Sequence, residues 1–266
     1  MKPGTIALVL ALAFFLAPIP WWVSVLLVIT MIYWLGPIVV FFTQKAPASP
    51  RHMLVSIADP TIPEPVRDRL EDVTMALEAQ GFRDAGLLQA EPQGSTQGYV
   101  RVLQHPDTGE VAHVLIIATL SSPPTIAAHL VGFSTRRANG TTIRTSNSGI
   151  PSVYPPDKRH DSVRLPEVQD IGQLLRIHRH RTSRSTAAVR EVQRPIQDPV
   201  AFQTRIELEE LAHQQRIGYW RRDSSSDMLR PTMKGALLMT LRLLPPWKQM
   251  TEKRVKEEAE QLLAAA

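Results

Sequence analysis

Residues 5–42 contain no Asp, Glu, Lys, Arg or His, and a charge-free stretch of that length has few places to go in water. Pro18-Ile19-Pro20 divides it into a run of 13 residues (5–17) and one of 23 (21–43). At about 1.5 Å per residue a helix over the second run is roughly 34 Å long, enough to cross a hydrocarbon core of about 30 Å. The first run reaches only about 20 Å by the same rise.

Residues 1–44 are therefore expected to form a transmembrane anchor. The favoured form is a helical hairpin turning near residues 18–20, because proline removes an amide donor and disfavours helix in the residue before it. Trp21 and Trp22 follow the turn directly, where indoles concentrate at headgroup level. One spanning helix preceded by a short interfacial helix is a second reading. A cleaved signal peptide is a third, set back by the poor cleavage site at Leu16-Ala17-Pro18 and the full span after it. Lys2 flanks one end of the apolar stretch and Lys45 and Arg51 the other. In a hairpin both ends share a side, which the positive-inside rule makes cytoplasmic.

The stretch carries no ionisable group, so it is expected to hold and pack, not to conduct. Gly36-Pro37 within it fits a tolerated irregularity better than a kink or a close helix contact. The whole chain holds no cysteine, which excludes disulfides, thiolate metal sites and cysteine nucleophiles. A formal net charge of +5 falls almost entirely beyond residue 44. Beside an anchor, that charge points to anionic headgroups of the lipid bilayer, or to other membrane protein subunits, ahead of nucleic acid.

Residues 45–63 are punctuated by proline and read as a linker, with one short strand possible at 54–57. Residues 64–165 read as an α+β domain. Pro65 opens a helix, Val66, Leu70, Val73 and Leu77 recur at helical spacing, and Gly81 is a natural stop. The period then changes to two, with strands expected at 85–90, 98–104, 111–120, 128–137 and 141–146. Asn139-Gly140 suggests a two-residue type I′ hairpin turn. The run from Val111 is apolar on both alternations, as a middle strand covered on both faces should be. The fold expected is an antiparallel β-meander of four to five strands packed by a helix, followed by a helical region over 166–266. Its helices are expected at 168–179, 198–220, 232–244 and 251–265.

No phosphate loop, HExxH, GxSxG or EF-hand spacing occurs, and no cofactor is implied. His178 and His180 stand two apart, which on a helix points them away from each other. Arg176, Arg179, Arg181, Arg184, Arg190 and Arg194 surround them with a single acid, Glu191, and read as a basic surface. Asp157, His160 and Asp161, and the polar run 145–149, suit solvated turns better than a catalytic site. Residues 232–244 are apolar over most of a helix, with Lys234 and Arg242 about 80° apart. That helix fits two roles equally: lying in the membrane interface with Trp247 at headgroup depth, or packing as a core helix on 198–220. The membrane-interface set is thus Trp21, Trp22, Lys45, Arg51, Lys234, Arg242 and Trp247.

The function expected is a non-enzymatic, membrane-anchored scaffold or accessory protein with a basic domain at the cytoplasmic surface. An integral subunit of a larger energy-transducing or transport complex is the alternative. A membrane-bound hydrolase using loops 147–161 comes third.

Overall fold

In the computed structural model the described residues are 20–150, 153–155, 157, 159–184 and 195–265. Apolar periodicity decides most of its elements. α1 (Trp21–Thr43) is apolar throughout. α2 (Glu64–Glu78) has Pro65 in its first turn and buries the expected stripe of Val66, Leu70, Val73 and Leu77. Gly81 ends it at φ +89°, and the Phe82 amide reaches back to the Leu77 carbonyl at 3.2 Å, a 6→1 bond of the Schellman type.

Seven strands then lie in sequence order in one sheet: β2 (His52–Val55), β3 (Arg83–Ala90), β4 (Thr96–Gln104), β5 (Val111–Thr119), β6 (Ile126–Arg136), β7 (Thr142–Ser146) and β8 (His160–Arg164). All neighbours are antiparallel except β7 and β8, which pair in parallel from Thr142 opposite His160 to Ser146 opposite Arg164. The five strands legible from alternation, β3–β7, all form. The sheet is wider than expected because β2 joins one edge from within the supposed linker and β8 joins the other. Both are short, and neither has an alternation that stands alone. The Asn139-Gly140 turn also differs from a two-residue hairpin. The Arg137 amide donates to Thr141 and the Gly140 amide to Arg137, with Gly140 at φ +78°, which is the three-residue form.

Helices cover both faces, not one. On the face with the larger core, Tyr99, Leu103, Val114, Ile116, Val131 and Phe133 meet α2, α3 (Ile171–Arg184) and Ala259 of α6 (Trp247–Ala265). On the other, Leu88, Val100, Val102 and Val111 meet Ile196, just before α4 (Pro199–Arg216), and Val200 and Phe202 in its first turns. β5 thus sits covered on both sides, as its unbroken apolarity requires.

A second, three-stranded sheet joins β1 (Ala46–Pro47), β10 (Met228–Pro231) and β9 (Trp220–Arg222) in that order. α5 (Met233–Leu243) follows β10. Tyr219, Trp220, Leu229 and Met239 form a small core there, shared with Val40 of α1 and with Ala46 and Ala48. The C-terminal region is therefore not all helical, and the chain just after α1 is tied into it. Residues 1–19, the first arm of the expected hairpin, fall outside the described residues.

Candidate membrane-contact site

Among the described residues α1 is the one helix long and apolar enough to cross a membrane. Pro37 lies inside it and cannot donate to the Tyr33 carbonyl one turn back. Thr30 and Thr43 turn their hydroxyls back on the Leu26 and Val39 carbonyls, at 2.8 Å each. Beyond Val23 and Ser24, which are half-buried, the shielded residues form one stripe: Tyr33, Gly36, Pro37, Val40 and Phe41, at i, i+3, i+4, i+7 and i+8. From Val25 to Ile32 every side chain is exposed, whichever way it points.

The shielding comes from α5. A Cβ placed on Gly36 would lie 2.8 Å from the Thr240 methyl, so the helices cross where one of them has no side chain. Further along, the Tyr33 hydroxyl donates to the Pro245 carbonyl. Contacts descend α1 as they ascend α5, so the helices run antiparallel. The Gly36 reading as a mere irregularity is corrected here: it is a close helix contact. At the other end of α5, Thr232 caps the first turn by accepting from the Gly235 amide at 2.9 Å. A Cβ on Gly235 would stand 2.1 Å from the Tyr219 carbonyl oxygen. Two glycines therefore hold α5 between the small sheet and α1.

The helix over residues 233–243 runs alongside α1, where packing chiefly on the 198–220 helix was the expected core role. Lys234 sits in the first turn of α5, and Trp247 begins α6 beyond the break at residues 244–246. Lys234 donates to the Ile217 carbonyl at 2.9 Å. Trp247 lies at the far end, just past Pro245-Pro246. There Leu243, Trp247 and Met250 are exposed, by 46%, 46% and 65%, and Arg242 and Lys248 flank them in sequence. Lys45 and Arg51 are exposed just beyond the C-terminal end of α1, and Trp21 and Trp22 at its other end.

Behind the tip lies a cleft of about 440 Å³ between α6 and the loops that follow β7 and β8. Arg164, Arg242, Lys248, Lys253 and Lys256 line it, against Glu167 and Glu252. Apart from Arg242 these cations were not singled out in the sequence. On α6 they alternate with glutamates, and that pattern alone cannot be told from an ordinary solvated helix.

The expected basic surface is only partly one. Arg176 and Arg184 are exposed, and Arg190 and Arg194 fall outside the described residues. Arg179 pairs at 3.1 Å with the fully buried Glu110. Arg181 is itself buried, 2.7 Å from Asp161 and donating to the Arg144 carbonyl and the Thr145 hydroxyl. The two point to different sides of α3, and each meets a buried group there, Glu110 for Arg179 and Thr145 for Arg181. His178, one turn from Arg181, is buried 2.9 and 3.0 Å from the Thr135 and Thr145 hydroxyls.

A polar seam runs between α4 and the sheet. His113 stacks on Phe202, Arg144 pairs with Glu210, and His52 lies 3.0 Å from Glu207. Burial, then the Arg144 charge, lower the His113 pKa to about 4 against a weaker opposing bond from Gln203. Burial raises Asp157, but bonds from Arg159 and the nearby His213 and Arg159 charges outweigh it, leaving the carboxyl at about 2. Asp157 pairs with Arg159 at 3.0 Å, and Asp161 with Arg181 as above. Asn147, in the polar run 145–149, accepts from the Val131 amide at 2.7 Å. No group of three or more metal-ligating side chains occurs among the described residues.

No protein-family model matches the chain, and comparison with curated proteins and with solved structures finds no significant similarity.

Proposed function

We propose that the chain is a non-enzymatic, membrane-anchored scaffold or accessory protein that holds its α+β domain against the cytoplasmic surface of a bilayer through two contacts, α1 and the α5–α6 tip. The observation that carries this reading is the docking of α5 along α1, with an apolar tip between two cations at the level of Tyr33. A discarded signal sequence has no reason to be built into the fold through Gly36, Pro37 and Val40.

Charge sets the depth. A lysine or arginine at the bilayer centre costs several kcal/mol (about 2.5–3.5 on insertion scales), so Arg242 and Lys248 belong at the headgroup boundary, with Leu243 and Trp247 dipping below it. The last turns of α1 then rise out of the hydrocarbon. Residues 21–35 remain within it, roughly 22 Å of helix. That length is close to the roughly 20 Å available to residues 5–17, and both are short of a core of about 30 Å, so a hairpin of two such arms would cross where the bilayer thins locally. Lys45, Arg51, Arg242 and Lys248 all lie on the domain side, which favours the cytoplasm by the positive-inside rule.

Alkaline carbonate extraction of membranes tests the reading: the full chain should stay in the pellet, and release into the supernatant would contradict it. The full exposure of Val25–Ile32, with Trp34 73% exposed, favours a second reading as an integral subunit of a larger membrane complex, with other helices covering α1 laterally. Purification in mild detergent separates the two, since a stoichiometric co-migrating partner selects the subunit and a lone monomer the scaffold.

A further inference from the structure

We propose that the cleft between α6 and the loops after β7 and β8 binds the phosphate of an anionic phospholipid headgroup; this rests on the membrane reading above. Its lining of five cations and two carboxylates leaves an excess of three positive charges around one concavity. Those charges are weakly spent. Lys248 and Lys253 meet Glu252 and Glu257 only as exposed i,i+4 pairs at 3.8 and 3.7 Å, which contribute little. Arg242 and Lys256 make no ion pair among the described residues. Arg164 is fixed by donating to the Ile150 carbonyl at 2.6 Å, which leaves its remaining N–H groups for an anion. Burial, then the neighbouring Arg254 charge, lower its pKa against the opposing Glu252 charge.

Position selects lipid over a soluble anion. The cleft reaches Lys248, the residue next to the exposed Trp247, so a headgroup seated there would lay its chains along Leu243 and Trp247. The inner wall is apolar, made by Pro166, Val255 and Ala259, and suits the glycerol end of a headgroup better than a fully hydrated ion.

The test is native mass spectrometry of the full chain in mild detergent. Short-chain phosphatidylglycerol, phosphatidylcholine with the same chains, and inorganic phosphate are each added. Phosphatidylglycerol should be retained at least tenfold more than phosphatidylcholine. Lys248→Gln with Lys256→Gln should lower that retention about thirtyfold, from two surface cations. Arg83→Gln with Arg216→Gln, exposed cations away from the cleft, should leave it unchanged. Equal retention of the two lipids would overturn the proposal, as would a Lys248/Lys256 variant that behaves like the parent. Inorganic phosphate binding with no preference among lipids would assign the cleft to free phosphate and overturn it too. A chain that stays in the carbonate pellet but shows no lipid preference loses only the cleft; one that leaves the pellet loses the membrane reading itself.

Discussion

The seven-stranded domain and the module built on α1 and α5 treat apolar surface in opposite ways. In the domain, α2, α3 and α6 close over one face of the sheet, and its largest side chains, such as Tyr99, Leu70 and Phe133, are almost wholly buried. In the module, Trp21, Leu26, Trp34, Phe42, Leu237, Leu243 and Trp247 stay exposed although the backbone around them is fully ordered into helices. One chain thus carries a region that covers its own apolar surface and a region that leaves it open, which is what the proposed bilayer contact would cover. Where apolar residues remain uncovered after every local element has formed, the missing cover is external.

The comparison breaks most sharply in the core of the domain. Leu70→Ala should cost about 2–5 kcal/mol, the range for a buried leucine that leaves a cavity, while leaving the carbonate-resistant fraction unchanged. Thermal unfolding in detergent with a membrane-fraction assay checks both. Gly235→Val should act on the module alone. The added side chain meets the Tyr219 backbone, which cannot give way, and overpacking of this kind costs about 1–3 kcal/mol. The near-ultraviolet signal of Tyr219 and Trp220 should weaken at a lower temperature than far-ultraviolet ellipticity.

The third effect is the smallest and separates the regions by pH. His113, His129 and His160 all have folded pKa values below the usual 6.5, each chiefly through burial. A depressed histidine favours the neutral folded form, so its contribution is complete above pH 6.5 and is lost as the pH falls toward about 4. The domain should therefore lose stability across that window, and His113→Phe should remove a part of the slope on the order of 1 kcal/mol after allowance for partial solvation. Melting temperatures of the parent and variant between pH 7 and 4.5 give the answer.

Periodicity made much of this architecture legible. The α2 stripe, the five middle strands and the uncovered helix after Pro20 each follow from spacing along one segment. What stayed hidden depends on pairing between distant segments. β2 and β8 are strands because β3 and β7 offer them edges, and α5 lies along α1 because Gly36 and Thr240 meet. Charge misled where burial reversed its meaning. Arg181 reads as surface in sequence, yet it is buried against Asp161 and Thr145. Arg164 drew no notice, and it lines the cleft.

Depth measurement on the full chain in lipid vesicles tests the two-contact account most directly. Because the protein has no cysteine, Val28→Cys, Leu243→Cys and Met53→Cys each introduce a single site for a nitroxide label. Relative accessibility to oxygen and to a water-soluble nickel chelate then reports depth. The account predicts that the label at 28 is deep in hydrocarbon, the label at 243 is just below the headgroups, and the label at 53, on the sheet edge, is in water. A label at 243 as open to nickel as the one at 53 would contradict it.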